Sequence, residues 1–150
     1  TTSSDFAHRL GAGYKFRNTT ASILWERLDY ANSGTVAGVT SYKRDAWQLA
    51  VLHDMGPHKF KLRYNAAQDG SCGNAAGNCT TNGLGATQWT LGYGYILSKR
   101  TEVYLSYTSL ANRDASAYTL TIGGPADVTT GAFGVGSDPR ALGLGIRHTF

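Results

Sequence analysis

The sequence has few charges, little proline and no long apolar run, and each shortage excludes a class of protein. No stretch of 18 apolar residues occurs in the 150, which excludes a transmembrane helix. Charged residues make up 16% of the chain, below the roughly 25% that is typical of soluble domains. The net charge of +4 is modest for a nucleic-acid binder, so we predict no nucleic-acid partner. Mean hydropathy is −0.27, which still permits a membrane protein whose polar and apolar residues alternate.

Motifs for catalysis are also missing. The chain has no nucleophile elbow, HExxH pattern or phosphate-binding loop. We therefore predict that it is not an enzyme and needs no cofactor. His53, Asp54 and His58 flank one turn and could in principle hold a metal, but anchoring at a membrane interface is the favoured interpretation, and we predict no metal site. The lack of an initiator Met and a signal peptide indicates a mature, processed or fragmentary chain.

Only two cysteines occur, at Cys72 and Cys79, on either side of a six-residue segment rich in Gly, Asn and Ala. Two cysteines so close in an otherwise cysteine-free chain favour a disulfide within one loop, formed in an oxidising compartment.

Strict alternation of polar and apolar residues dominates what is present, and it predicts β-strands. In the last ten residues, Leu142, Leu144, Ile146 and His148 share a face with Phe150, while the opposite face is small, polar or charged. The 19 glycines suit strands that bend. The pattern predicts seven strands, over residues 6–16, 20–30, 42–54, 58–67, 86–97, 101–110 and 139–150. In the second strand, Leu24 and Leu28 obscure the phase.

The connections between these strands alternate in length. Turns at 17–20, 55–58 and 98–100 are short, whereas segments 31–41, 68–85 and 111–138 are long. Short periplasmic turns and long extracellular loops are typical of transmembrane barrels, so we predict an all-β, antiparallel barrel with its apolar side chains facing lipid. Aromatic side chains on that apolar face would form interfacial girdles that set membrane depth: Phe16, Trp47, Phe60, Tyr64, Trp89, Tyr93, Tyr95 and Phe150.

The opposite phase places charged side chains in a water-filled lumen. We predict that six of them line the pore: Arg9, Arg44, Lys61, Arg63, Glu102 and Arg147. Counting Lys15, Lys59, Glu26 and Asp54 as well, the inward face has an excess of four positive charges. Fixed cations favour small anions in a pore, and we expect these charges to be unpaired. The alternative is that they only solvate the wall or pair with acids on strands that lie outside this sequence.

Several stretches resemble a known family. Trp47-Gln48-Leu49-Ala50-Val51, the loop between Cys72 and Cys79, Leu91 through Thr101 and the ending Gly145-Ile146-Arg147-His148-Thr149-Phe150 resemble the C-terminal half of general-diffusion porins of Gram-negative bacteria, closest to the betaproteobacterial type. The resemblance implies the last seven strands of a sixteen-stranded barrel in the cell outer membrane, without the other nine strands and the constriction loop. It also implies contact with lipid and lipopolysaccharide, a homotrimer at full length, and recognition of the final strand by the assembly machinery through its terminal Phe.

Other architectures stay open at this point. An eighth strand within 111–138, with a possible short extension at 117–122, would make a small eight-stranded outer-membrane barrel with a structural, adhesive or hydrolytic role. A lipocalin-type binding module would need the reverse phase, with its apolar side chains inside. We expect residues 1–150 to form one partial barrel domain.

Overall fold

A computed structural model describes residues 4–31, 39–74, 77, 79–120 and 134–150. These residues form one antiparallel sheet. Its strands are β1 (Ser4–Phe16), β2 (Thr19–Ala31), β3 (Val39–Met55), β4 (His58–Ala67), β5 (Ser71–Asn74), β6 (Ala86–Ser98), β7 (Thr101–Asn112) and β8 (Arg140–His148). Not one described segment forms a helix that is both long and apolar enough to cross a membrane.

The seven predicted strands are confirmed, with small shifts at their ends. β1, β2 and β3 begin one to three residues earlier than predicted, and β8 ends at His148 rather than at residue 150. Three two-residue turns, at 17–18, 56–57 and 99–100, join successive strands at one end of the sheet, which we call the short-turn end. The first and second of these turns contain Arg17 (φ 51°) and Gly56 (φ 59°), and a positive φ of this kind suits a tight hairpin. We call the opposite end the long-loop end.

The long connection predicted over 68–85 contains one short strand that was not predicted, β5. This short strand pairs with the first residues of β3, Tyr42 lying opposite Cys72 and Lys43 opposite Ser71. The pairing becomes possible because β3 extends beyond β4, whose last partner on β3 is Ala46. Four residues with no clear alternation give no strand signal in sequence, since the pairing depends on a neighbour 30 residues away.

The spatial order is β1-β2-β3-β4-β6-β7-β8, with β5 beside β3 only. β1 and β8 are the two edges and do not pair with each other in the described sheet. Residues 113–120 and 134–139 form no strand, so the suggested strand at 117–122 is wrong for 117–120, and the rest of it lies outside the described residues.

The register resolves which side chains share a face, because residues directly opposite each other in an antiparallel pair point the same way. Trp25 lies opposite Trp47 and Leu24 opposite Gln48, so Trp25 belongs to the apolar face and Leu24 to the polar face. Leu28 lies opposite Arg44 and is polar-facing as well. Two leucines on the polar face therefore explain the irregular pattern of the second strand.

The sheet is a single layer without a conventional core. Among the described residues, only Ala86 and Leu110 are buried apolar side chains, whereas Leu142 and Leu144 are 74% and 77% exposed. Large apolar side chains of this kind normally need a second layer to cover them. Here the apolar face must be covered by something other than the described residues.

Candidate functional site

The candidate site is the polar face, defined as the side of the sheet that carries Arg9, Arg44, Lys61, Arg63, Glu102 and Arg147. The register brings all six predicted pore-lining residues to this side. Arg9 lies opposite Glu26, Arg63 opposite Ala50, and Glu102 opposite Arg147. Three of the strand pairs are joined by two-residue turns, which fix their pairing, and the register shift in β6 lies beside the third turn, between Ile96 and Ser98.

A contact at the long-loop end bridges the polar face. Arg44 on β3 donates a hydrogen bond from Nη1 to the hydroxyl of Tyr118, which lies in the segment after β7. β4 and β6 separate β3 from β7 in the sheet, a span of about 14 Å at the usual strand spacing. The segment after β7 therefore turns back over the polar face at this end of the sheet.

Three cations surround Glu102 near the short-turn end. Arg147 Nη2 lies 2.7 Å from Glu102 Oε2, Lys59 Nζ lies 3.5 Å from the same oxygen, and Lys61 Nζ lies 3.3 Å from Oε1. The Glu102 side chain is only 7% exposed, whereas those of Lys61 and Arg147 are 46% and 67% exposed. A carboxylate that loses this much water needs charged partners to remain ionised. We call these four residues the Glu102 cluster.

Glycines on β6 make the cluster possible. A side chain at Gly94 would collide with Glu102 Oε1, and a Cβ at Gly92 would lie 3.2 Å from Lys61 Cβ. Lys61 and Glu102 stand on β4 and β7, so their side chains must meet across β6. Because Gly92 and Gly94 are adjacent on the polar face and have no side chains, they leave room for Lys61 and Glu102 to meet above β6. Glycine here serves close approach of neighbours rather than an unusual backbone angle.

The prediction that the inward charges are unpaired is wrong for several of them. Arg9 forms an ion pair with Glu26, and Lys61 and Arg147 pair with Glu102. Arg44 is hydrogen-bonded to Tyr118, with its Cζ atom 5.6 Å from the ring centroid. Alternation along a strand predicts the face of a residue, but these partners depend on register between strands and on the course of a loop.

Arg63 differs from the other predicted pore-lining cations. It is exposed, and within the described part of the chain it makes no ion pair or side-chain hydrogen bond. The residues level with it across the sheet are all small: Gly13, Ser22, Ala50, Thr90, Thr108 and Ala141. A groove of about 390 Å³ beside it is lined by the hydroxyl-bearing residues Thr20, Ser22, Thr90 and Ser106, and also by Leu52 and Lys61. Among the described residues, Arg63 is thus a free cation in a row of small side chains.

The apolar face carries aromatic contacts at two levels. Toward the long-loop end, the rings of Tyr64 and Trp89 lie 4.4 Å apart and those of Trp25 and Trp47 6.2 Å apart. Toward the short-turn end, Phe60 and Tyr93 are 5.4 Å apart. Three histidines on this face near the short-turn end, His53, His58 and His148, each bond through Nδ1 to a hydroxyl on the next strand. Among the described residues, no three His, Cys, Asp or Glu side chains are grouped as a metal site.

The loops at the long-loop end are tied together by two links. Cys72 and Cys79 form a disulfide with their Cα atoms 5.9 Å apart, as predicted. Asp69 Oδ1 accepts a hydrogen bond from the Gly85 amide at 2.7 Å, and Oδ2 accepts one from Arg113 Nη1 at 2.6 Å. Asp69 was not among the predicted site residues, because a lone aspartate in a loop gives no sequence signal of its partner.

The antiparallel sheet, its charged polar face and its exposed aromatic face together fit one kind of known protein. The profile of the Gram-negative porin family matches residues 1–115. The chain belongs to the Gram-negative porins. Among solved structures, it is similar to the anion-selective porin from Comamonas acidovorans, with 28% identity and a TM-score of 0.73. No curated protein matches the sequence.

The match to the Comamonas porin covers 99% of this chain and 40% of that porin's length. As a porin chain, this protein is located in the outer membrane, and the apolar face of its sheet is the side that meets lipid. The polar face is then the side that a porin turns to water. The family and the location that the sequence resemblance implied are confirmed, as is the all-β barrel class.

Proposed function

We propose that this chain is part of a water-filled outer-membrane channel for passive diffusion of small hydrophilic solutes, and that its wall favours anions. The observation that carries the second half of the proposal is Arg63. Its guanidinium remains charged at every physiological pH, stands among small residues and has no described counter-ion.

The paired cations on this wall also support a preference for anions, but more weakly than Arg63 does. Three cations share the single carboxylate of Glu102, so the Glu102 cluster retains a positive excess. Arg9 and Glu26 cancel each other. A positive wall lowers the electrostatic energy of anions in the pore and raises that of cations. The Comamonas porin is described as anion-selective, which agrees with this direction.

Further features of a whole porin are part of the proposal. Seven barrel strands span 40% of the Comamonas porin's length, so the same density over that length gives between seventeen and eighteen, in the range of the sixteen strands that the resemblance implies. We infer that residues 1–150 form a single partial barrel domain, whose short-turn end is periplasmic and whose aromatic belts lie at the membrane interfaces. The trimer, the recognition of the last strand by the assembly machinery, contact with lipopolysaccharide and the absence of enzyme activity or a cofactor stay predictions.

The test is the zero-current potential of the full-length barrel in a planar bilayer with a KCl gradient. We expect the wild type to favour chloride and Arg63→Gln to move the potential toward cations. The shift should be larger in dilute salt, because the Debye length is about 30 Å at 0.01 M and only about 3 Å at 1 M.

Two control variants separate the position of the charge from net charge. Arg63→Lys keeps a cation in place and should leave the potential near that of the wild type. Arg17→Gln removes a cation from an exposed turn and should have little effect, although it changes net charge equally. If Arg63→Gln and Arg17→Gln behave alike, the wall seen here does not set selectivity.

A further inference from the structure

The segment after β7 is fixed against the rim of the sheet. The Asn112 side chain holds it from both sides: its Oδ1 accepts from the Tyr118 amide at 3.0 Å, and its Nδ2 donates to the Tyr118 carbonyl at 2.9 Å. Ser116 is buried, and its hydroxyl donates to the Gly85 carbonyl at 2.8 Å. The amide of Ala115 donates to the Gly83 carbonyl at 3.0 Å. We call residues 113–118 the strap.

The strap carries the Tyr118 side chain to Arg44 on the polar face. Arg44 Nη1 donates to the Tyr118 hydroxyl, and the guanidinium lies 5.6 Å from the centre of the ring. Arg44 Nε is buried and has no hydrogen-bond partner among the described residues. The guanidinium is thus occupied at Nη1 by the hydroxyl end of Tyr118 and closed to solvent at Nε.

Tyrosines also occupy the next polar-face positions toward the long-loop end. Tyr42 and Tyr30 lie opposite each other and stack with ring centroids 6.3 Å apart. Tyr42 and Tyr118 line one shallow cavity of about 280 Å³ with Leu84 and Ala117. Arg44 therefore lies below a tyrosine-rich mouth, whereas Arg63 lies on open wall.

We propose that Tyr118 determines how far Arg44 acts on anions at the long-loop mouth of the channel. The hydrogen bond and the ring leave the charge of Arg44 intact but withhold its N–H groups from a passing anion. The strap also narrows the mouth above it. Tyr118 is then a specificity-determining residue, and this inference rests on the function proposed above.

Two substitutions at Tyr118 separate the hydroxyl from the ring. Tyr118→Phe removes the acceptor and keeps the ring beside the guanidinium, so anion preference should rise slightly. Tyr118→Ala uncovers Arg44, and the anion-to-cation permeability ratio should rise roughly two- to fivefold, the size expected when one unit charge becomes accessible in water. Single-channel conductance should also rise, because the mouth is wider.

The arginine background distinguishes the contact from simple widening. In Arg44→Gln, adding Tyr118→Ala should still raise conductance but should leave the permeability ratio unchanged. Tyr104→Ala serves as the matched control, since Tyr104 lies on the same face beside Gly145 and has no described contact with a cation. Tyr104→Ala should change the permeability ratio and the conductance less than Tyr118→Ala does.

The measurements are zero-current potential and single-channel conductance of the full-length barrel in a planar bilayer. An unchanged ratio in Tyr118→Ala, or the same rise in the Arg44→Gln background, overturns the inference. A barrel that conducts and favours chloride but ignores Tyr118 leaves the proposed function standing. A barrel that does not conduct, or one that favours cations in the wild type, overturns the proposed function instead. Retained heat-modifiable migration and an intact disulfide show that each variant is folded.

Discussion

At the scale of single residues, identical side chains differ in what they can do because their surroundings differ. Arg9, Arg63 and Arg147 all stand on the polar face and all carry one positive charge. Arg9 and Arg147 face carboxylates on the neighbouring strand, whereas Arg63 faces Ala50 and Thr90. Sequence phase predicts the face of each arginine correctly, and the register decides which of them is free.

Glu102 provides the first prediction at this scale. Replacing it by Gln leaves Lys59, Lys61 and Arg147 close together without a counter-charge, so the barrel should lose stability. The expected loss is about 1–2 kcal/mol, between the values for exposed and buried pairs, because the cations remain partly hydrated. Urea unfolding of the full-length barrel measures it. The same variant should favour anions more strongly than the wild type.

Glu26→Gln is the matched comparison for that result. It also removes one polar-face acid, but its partner Arg9 is 65% exposed, so the loss of stability should be within about 1 kcal/mol. Equal losses in the two variants would mean that the crowding of cations around Glu102 has no energetic consequence.

Asp69 provides the second prediction, on pH. Partial loss of solvent raises the pKa of Asp69, but the amides of Gly85 and Gly83 and the guanidinium of Arg113 outweigh that effect, and the pKa lies below its usual value of 3.8. A lowered folded-state pKa stabilises the ionised loop at every pH above the unfolded value of about 3.9. That contribution disappears as the pH falls through the folded-state pKa.

We therefore expect acidification below about pH 4 to speed amide exchange at Gly85, beyond the intrinsic pH dependence of exchange. Asp69→Asn should remove this excess, since the amide cannot ionise. If the excess persists in Asp69→Asn, another acid anchors the loop.

At the scale of elements, strands with strict alternation were predicted to within about three residues, because one face needs lipid and the other water. β4 shows this best, since its predicted bounds, 58–67, are the observed ones. β5 escaped prediction because its pairing depends on the extension of β3. The Glu102 cluster escaped as well, because Gly92 and Gly94 indicate room on β6 only when the strands on both sides are known.

The disulfide is expected to act on β5 and not on the barrel wall. Closing a loop of this size removes on the order of 2 kcal/mol of chain entropy from the unfolded state. The Cys72→Ser, Cys79→Ser double variant should keep the heat-modifiable migration of the wild-type barrel. Amide exchange should accelerate at Lys43, whose backbone groups face β5, and not at Leu49, which pairs with β4. Loss of heat-modifiable migration would contradict this division.

At the scale of the whole molecule, the two faces and the two edges make different demands. The apolar face is satisfied by lipid and the polar face by water, so neither needs a second protein layer. Neither lipid nor water satisfies the two edge strands within the membrane. In an antiparallel pair, alternate backbone groups of an edge strand point away from its partner, and an unpaired amide or carbonyl in hydrocarbon costs several kcal/mol.

The open edges therefore predict that this chain needs further strands to complete its wall. In the 150-residue chain alone, held in detergent micelles, alternate amides of Ser4–Phe16 and Arg140–His148 should exchange rapidly, while those of β4 and β6 are protected. In the full-length barrel, the same β1 and β8 amides should become protected, because new neighbours accept their hydrogen bonds. A small eight-stranded barrel would instead close on itself and protect both edges in the isolated chain. If the β1 and β8 amides exchange slowly in the isolated chain, and that chain is a monomer, the result would contradict the partial barrel and favour the smaller architecture.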